Sequence, residues 1–267
     1  MSTTVTYKGQ TLTTVENQTK TLNTAGTWVE GDFTLTDVSG GGSVDWGAVA
    51  QGDEPQGAIV LSMTKNFRQA AFRGCTEITS VEIASIPNNI SASADVFYGC
   101  SALVSFDFGN LYAIGNSMFR DCTSLAKAES ANIGRLNGTY SFTNTAITRA
   151  CFPNLSGLTG RAFEGATHLE LADIGNCDTV QWNLFNGCTA LRKLIIRRSS
   201  VARLNGWDAN VMGGIYNNPT ESTIYVPSAL ISSYQTATNW SSAYSAGLTF
   251  TAIEGSPYEN PTWYEGA

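Results

Sequence analysis

Apolar residues recur along the chain in a unit that begins with phenylalanine, usually has cysteine three residues later and then leucine or isoleucine. Successive phenylalanines of the unit are 25, 22, 23, 21 and 22 residues apart. The copies, one of them shortened, are Phe72-Cys75-Ile78, Phe97-Cys100-Leu103, Phe119-Cys122-Leu125, Phe142-Thr145-Ile147, Phe163-Ala166-Leu169 and Phe185-Cys188-Leu191. This period predicts a stacked repeat architecture, in which each unit buries its apolar side only against its neighbours.

A short pair of residues with a spacing of two follows each unit. The pairs are Val81/Ile83, Phe106/Phe108, Ala128/Ser130, Ala150/Phe152, Ala172/Ile174, Leu194/Ile196 and a final Ile224/Val226. A period of two predicts a strand with these side chains turned inward, so each repeat adds one strand to a parallel sheet. Another apolar position precedes the next phenylalanine and predicts a return arm. It is occupied by Ile114, Leu136, Leu158, Val180 and Leu204.

The unit F-x-x-C-x-x-L followed by V/F-x-I/F resembles the BspA-type leucine-rich repeats of bacterial and bacteriophage surface proteins. The resemblance covers residues 58–226 and departs from the pattern at Thr145 and Ala166, which replace cysteine, and at Ser130. It implies a mainly β fold with short helical arms. The expected architecture is a right-handed leucine-rich repeat solenoid over 58–226, between a small β-rich N-terminal module and a C-terminal cap that contains a helix.

The residues before the repeats differ from them in composition. Residues 1–38 contain twelve threonines and alternating runs, which predict short strands joined by turns. This segment resembles the N-terminal modules of phage tail-associated and fibre-like proteins, and the resemblance implies a role in attachment or oligomerisation. Residues 39–57 are rich in glycine and predict a linker with one helical turn around Trp46.

The residues after the repeats, 227–267, predict a cap and a tail. A helix is expected after Pro227, with its apolar stripe formed by Leu230, Ile231, Tyr234, Ala237, Trp240 and Tyr244. A strand around Leu248–Ile253 completes the cap of the last coil. The aromatic tail SPYENPTWYEGA either packs on that cap or binds a partner, and packing is the preferred interpretation.

Composition and charge exclude several classes of function. Charged residues make up 14% of the chain and the net charge is -7, so we expect no nucleic acid partner. The opening residues lack a secretory-signal pattern and no stretch is apolar enough to span a bilayer, so we expect no membrane insertion. The single histidine, His168, falls at a variable turn position, and the six cysteines are interpreted as reduced core thiols. We therefore expect no catalytic residue, no metal and no cofactor.

The outward side of the predicted sheet carries the first candidate site. The residues between the inward pairs are Glu82, Asp107, Glu129, Cys151, Asp173, Ile195 and Tyr225, and four of these seven are acidic. The column two residues earlier carries Lys127, Arg149 and Lys193. The acidic column is either a solvated face neutralised by the basic column or a surface that binds a polar ligand.

A second candidate site is a group of five basic residues near the last full repeat. They are Arg192, Lys193, Arg197, Arg198 and Arg203. On an otherwise acidic protein, these residues either hold an anionic glycan or a teichoic-type phosphate through bidentate guanidinium contacts, or simply solubilise the surface. Trp182 and Trp207 are near them in sequence and would supply aromatic platforms for sugars if they are exposed.

These observations favour a non-enzymatic structural and interaction protein, which the resemblance places in a phage virion as a tail- or head-associated fibre or decoration. Residues 1–38 would contact other virion proteins, and the solenoid would contact a host surface protein or glycan. We expect a homo-oligomer, because weak repeated contacts then gain avidity. The alternative is a bacterial cell-surface leucine-rich repeat adhesin. A glycan-degrading enzyme is disfavoured because no catalytic constellation is evident.

Overall fold

The structure is a computed structural model that describes residues 2–7, 10–15, 19–22, 28–34, 57–62, 67, 69–85, 90–91, 93–262 and 264. Its strands are β1 (Ser2–Tyr7), β2 (Gln10–Val15), β3 (Thr19–Leu22), β4 (Trp28–Thr34), β5 (Gly57–Ser62), β6 (Ile78–Ser85), β7 (Ile90–Ser91), β8 (Ser105–Phe106), β9 (Leu111–Ile114), β10 (Lys127–Glu129), β11 (Arg135–Leu136), β12 (Arg149–Cys151), β13 (Gly157–Leu158), β14 (Leu171–Asp173), β15 (Thr179–Val180), β16 (Lys193–Ile195), β17 (Arg203–Leu204), β18 (Thr223–Val226) and β19 (Thr249–Ala252). The helices are α1 (Ala209–Met212), α2 (Gly214–Asn217), α3 (Ile231–Thr236) and α4 (Trp240–Ser245), with 3-10 turns at Pro219–Glu221 and Ser228–Leu230.

The repeats stack in register and form parallel sheets. One sheet pairs β10, β12, β14, β16, β18 and β19 in that order, and every pair is parallel. A neighbouring sheet continues the same face with β5, β6 and β8, and the return arms pair as β7-β9-β11-β13 and β15-β17. All seven inward pairs are buried, including Ser130 at 9% exposure. The predicted repeat architecture is confirmed: each repeat adds one strand to the main parallel face, and the return arms form short strands of their own.

A stack of phenylalanine rings runs through the centre of the solenoid. Consecutive rings of the repeat unit are nearly parallel, and their centroids are 5.0, 5.8, 5.4, 5.5 and 5.7 Å apart. The six rings belong to Phe72, Phe97, Phe119, Phe142, Phe163 and Phe185, and all are completely buried. Each of the four inner rings therefore contributes to two interfaces between coils and each end ring to one, and these interfaces are where a repeat protein gains its stability.

The cysteine of the unit fills a narrow corner between coils. The Sγ atoms of Cys100, Cys122 and Cys188 each donate a hydrogen bond, 3.0 Å long, to the carbonyl of the phenylalanine in the preceding coil. At the two positions that depart from the pattern, Thr145 Oγ1 bonds to a carbonyl of its own coil and Ala166 is completely buried. All six cysteines of the chain are buried free thiols, as the sequence predicts.

The native protein is expected to resist thiol alkylation. Burial raises the pKa of the Cys100, Cys122 and Cys188 thiols, so little reactive thiolate forms near neutral pH. Incubation with iodoacetamide at pH 8, followed by intact-mass analysis, should leave the folded chain unmodified. The same reagent in guanidinium chloride should add six groups, and rapid native labelling would contradict the packing described here.

Each coil reverses direction through residues with positive φ close to the phenylalanine. The residue two positions after the phenylalanine has a positive φ in every coil. It is glycine in four coils, and it is Asp121 (φ 61°) and Asn144 (φ 56°) in the other two. Glycine, asparagine and aspartate tolerate this conformation best. The amide of Asn144 also donates to Asp121 Oδ1 at 2.8 Å, which links the two coils that lack glycine.

The N-terminal strands extend the sheet of the first coils. Strands β1 and β2 form an antiparallel pair, and β1 also pairs antiparallel with β5 through Thr4↔Ser62 and Val5↔Leu61. Strands β3 and β4 form a separate antiparallel pair. The short strands expected in residues 1–38 are therefore present, and one hairpin lies beside the first strand of the repeats. Residues 39–56, with the predicted linker and the turn at Trp46, lie outside the described residues.

The C-terminal end of the solenoid is closed by short helices. No seventh phenylalanine-cysteine unit follows the sixth in the sequence. In its place, α1 and α2 bury Val211, Met212 and Ile215, and the repeat pattern does not predict these core residues. Strand β19 then pairs with β18. The predicted cap helix is divided in two, because the chain turns at Asn239 with a φ of 64° between α3 and α4. Trp240 Nε1 donates to the Ala202 carbonyl at 2.7 Å, which ties the cap to the last coil.

Candidate ligand-binding face

The outward face of the main sheet is divided into an open half and a covered half. In the first coils, Glu82 and Asp107 are exposed. In the later coils, the equivalent Cys151, Asp173 and Ile195 are completely buried. The predicted acidic column is therefore not a continuous exposed stripe. Its accessible part is confined to the N-terminal coils.

The C-terminal tail covers the later coils. Ile253, Tyr258 and Tyr264 form one buried apolar cluster with outward-facing residues of the sheet. Those sheet residues are Cys151, Leu171 and Ile195, and Tyr225 packs at their margin with its ring 4.7 Å from that of Tyr258. The tail thus packs against the sheet face itself, whereas the sequence interpretation placed it on the cap. Trp263 lies outside the described residues.

Asp173 and Arg197 form an ion pair beneath the tail. Arg197 Nη2 and Nε lie 2.7 and 2.8 Å from Asp173 Oδ2, while Asp173 Oδ1 accepts the backbone N–H of Gly175 at 3.0 Å. Arg197 Nη2 also donates to the carbonyl of Tyr258 at 2.9 Å. The pair therefore fastens the tail to the sheet. The expectation that Asp173 and Arg197 lie on an accessible ligand surface is corrected, because the tail shields both from solvent.

The acidic residues of the open half have different environments. Glu129 Oε1 lies 2.9 Å from Arg149 Nε, so its charge is neutralised laterally by the basic column. Asp107 Oδ1 accepts the N–H of Gly109 at 2.9 Å and supports the turn after its strand, while its side chain stays exposed. Glu82 and Lys127 are exposed as well. Of the four predicted acidic residues, only Glu82 and Asp107 therefore present an accessible, unneutralised carboxylate.

The five basic residues do not form one cluster, which corrects the second sequence interpretation. Arg197 is held under the tail, Arg198 donates to Ser200 and to the Asn176 carbonyl, and Arg203 lies 3.4 Å from Asp178. Only Arg192 and Lys193 line a common cavity. The others are dispersed because successive residues of a strand and its turn point in different directions.

The cavity that holds Arg192 and Lys193 has a volume of about 540 Å³. Its remaining lining comes from β12, from β14 and the residue before it, from the turn before β16 and from the tail. The complete lining is Arg149, Glu170, Leu171, Ala190, Arg192, Lys193 and Tyr258. Arg149 belongs to the basic column recognised in the sequence. Tyr258 is more than sixty residues from any of the others, and no pattern in the sequence links it to them.

The predicted aromatic platforms lie elsewhere. Trp182 is 51% exposed and its ring lies 4.9 Å from the guanidinium carbon of Arg161, while Trp207 packs against Tyr216. Trp182 ends a ladder of alternating cations and rings, with separations of 4.6 to 5.7 Å, that sequence reasoning missed. The ladder consists of Arg73, Tyr98, Arg120, Tyr140, Arg161 and Trp182. Such contacts link neighbouring coils at the surface.

The single histidine and the possible metal ligands of the described residues are dispersed. His168 is exposed, and its Nδ1 lies 3.3 Å from the hydroxyl oxygen of Thr167. Within the part of the chain that the structure describes, no three His, Cys, Asp or Glu side chains are grouped to hold a metal ion. None of the helices described has the length and apolar character required to cross a bilayer.

The stacked repeats match a known family of repeat proteins. A family model described as "BspA type Leucine rich repeat region (6 copies)" matches residues 58–170 and 93–206. The structure is similar to that of a T. pallidum leucine-rich repeat protein, with 18% identity, a TM-score of 0.45, and coverage of 55% of this chain and 78% of that chain. A leucine-rich repeat protein from Bacteroides ovatus has the same identity and TM-score and covers 80% of this chain and 54% of its own. No curated protein matches the sequence.

Proposed function

Because the chain belongs to the BspA-type leucine-rich repeat family, we propose that it is a non-enzymatic binding scaffold that recognises its partner through the open half of the sheet. The observation that carries the proposal is the division of this face. The tail covers the apolar coils, whereas Glu82 and Lys127 remain exposed on their strands and Asp107 remains exposed directly after β8. Large exposed apolar patches mark many interfaces, so a polar open face favours a polar partner.

The scaffold is well suited to hold these side chains in fixed positions. They lie in, or directly after, strands whose inward residues are completely or almost completely buried, so their spacing is set by the stacking of the coils. Single contacts of exposed charged side chains are weak. A homo-oligomer that presents several copies of the face would gain avidity through effective concentration, without any stronger individual contact.

We further propose that the scaffold works in a phage virion, with residues 1–38 bound to other virion proteins and the repeats facing a host surface protein or glycan. The proposal extends the resemblance noted in the sequence, and a bacterial cell-surface adhesin remains its alternative. Mass spectrometry of purified particles should detect the chain in stoichiometric amounts, and labelling by electron microscopy should place it on the tail or head. Its presence only on bacterial cells would favour the adhesin.

Reversing one charge on the open face tests the binding proposal. Glu82→Lys is expected to weaken attachment of the labelled protein to bacterial cells about tenfold, because like charges facing each other at an interface oppose association. Binding would be measured by flow cytometry on a panel of Gram-negative and Gram-positive strains. Glu77→Lys is the matched control, since Glu77 is exposed in the same coil but precedes the strand.

Two results would contradict the proposal. Equal attachment of Glu82→Lys and wild type would remove the open face from the interface. Absence of binding to every strain would leave the repeats with an architectural role.

A further inference from the structure

The cavity beside the tail is distinct from the open face and has the chemistry of a saccharide site. We propose that this cavity binds an acidic sugar residue, with the sugar carboxylate held by the cations and the sugar hydroxyls and ring held by the other lining groups. The inference deepens the proposed function, because the acidic sugar would belong to the surface that the scaffold recognises.

The cations are arranged around one point of the sheet. In the strand register, Leu171 of β14 lies between Arg149 of β12 and Lys193 of β16. The two cations therefore flank Leu171 in the same row of outward positions. Strands are spaced by about 4.8 Å, which places these two backbones roughly 10 Å apart. Arg192 precedes Lys193 and also lines the cavity. A carboxylate between the two strands would therefore lie within reach of more than one cation.

The cations are compensated only in part. Arg149 contacts Glu129, and Arg192 Nη1 donates to the carbonyls of Thr189 and Leu191, both at 2.9 Å. The carboxylate nearest Arg192, that of Glu221, is 4.0 Å away and is largely exposed. Lys193 is exposed, and no carboxylate of the described residues is within 4.0 Å of its Nζ atom. The cavity thus retains positive charge on a protein whose net charge is -7.

The other lining residues favour a sugar acid over a simple anion. Glu170 supplies carboxylate oxygens, which accept hydrogen bonds from hydroxyl groups but repel phosphate and clustered acidic side chains. Ala190 supplies apolar surface for the C–H face of a ring, next to the almost completely buried Leu171. The combination of cations, one acceptor and a small apolar floor matches a ligand that carries one carboxylate, several hydroxyls and an apolar face.

The cavity is built on fixed elements. Its floor belongs to the sheet, and its wall is Tyr258, whose carbonyl is held by Arg197 and whose ring packs against Tyr225. Lys193 Nζ lies 6.0 Å from the centre of the Tyr258 ring, which orients the ammonium group towards the wall. The volume of about 540 Å³ is in the range of small-ligand pockets.

Ligand-observed NMR and calorimetry on the full chain test this inference. The probes are glucuronate, galacturonate and N-acetylneuraminate, with glucose, inorganic phosphate and an acetylated Asp-Asp dipeptide for comparison. At least one sugar acid should bind saturably and about tenfold more tightly than glucose. Lys193→Gln should weaken that binding about tenfold. Arg135→Gln is the control, because Arg135 is an exposed cation on the return-arm strand β11 and does not line the cavity.

Several outcomes would overturn the inference. The cavity site is disproved if no sugar acid binds, or if glucose binds as tightly as the sugar acids. It is also disproved if phosphate or the dipeptide binds as tightly as the sugar acids, or if Arg135→Gln weakens binding as much as Lys193→Gln. The cell-attachment assay with Glu82→Lys is independent of these probes. A scaffold that binds cells through the open face but binds no sugar acid would disprove the cavity site alone.

Discussion

Replacing Phe142 by alanine is expected to lower the free energy of unfolding by about 3–5 kcal/mol, as for other large-to-small substitutions in a closed core. The ring is completely buried near the middle of the stack, with centroids 5.4 Å from Phe119 and 5.5 Å from Phe163. It also contacts Phe152, at 5.9 Å. Its removal leaves a cavity at two successive interfaces between coils, and the interiors of rigid solenoids collapse poorly around such cavities.

The position of Phe142 also predicts a change in cooperativity. In a repeat protein, stability is the sum of coil and neighbour-interface contributions, so weakening two central interfaces uncouples the coils on either side. Urea denaturation followed by circular dichroism should show a lower midpoint and a broader or two-step transition. Phe142→Leu, which keeps most of the volume, is the control and should cost about 1–1.5 kcal/mol. Equal losses for both variants would contradict the importance of ring stacking.

Arg197→Met is expected to destabilise the protein by about 3–5 kcal/mol, because it leaves the carboxylate of Asp173 buried without its counter-ion. Asp173 is completely buried, and the arginine side chain is only 10% exposed. The substitution also removes the hydrogen bond to the carbonyl of Tyr258. The tail should therefore loosen, and limited proteolysis should cleave it earlier in the variant than in the wild type.

A second substitution separates charge burial from lost packing. Asp173→Asn in the Arg197→Met background removes the buried charge and keeps an oxygen that can accept the Gly175 N–H, so at least about half of the lost stability should return. Arg198→Met is the matched control. Arg198 bonds only to Ser200 and to the Asn176 carbonyl at the surface, so a change within about 0.5 kcal/mol is expected. No recovery in the double variant would show that the buried charge is not the cause.

The covered half of the sheet explains why the tail is part of the fold. Strands that are apolar on both faces must be covered on both. In β12, β14 and β16, Cys151, Leu171 and Ile195 add apolar outward positions to the apolar inward ones. Their change in character relative to Glu82 and Asp107 is visible in the sequence. It indicates that something covers the later coils, although it does not identify the covering segment.

The sequence alone determined the repeat and its core. A coil without its neighbours cannot bury its own apolar residues, so the phenylalanine, cysteine and leucine positions had to recur at a regular period. The alternation after each unit likewise determined the strands, because side chains of a strand point to opposite faces in turn. These are local rules repeated many times, and for that reason they can be read without coordinates.

Only the tertiary structure decided which outward residues are accessible. Tyr258 lies in the tail, outside the repeating part of the sequence, and packs against residues of the sheet. The tail at Tyr258 buries Asp173 and holds Arg197 apart from the other basic residues. Tyr258 also completes the cavity at Lys193. The same applies to Val211, Met212 and Ile215, which fill the place of a seventh unit without its sequence. The physical reason is that such contacts depend on where one non-repeating segment finds apolar surface, and the pattern of the repeats carries no information about that path.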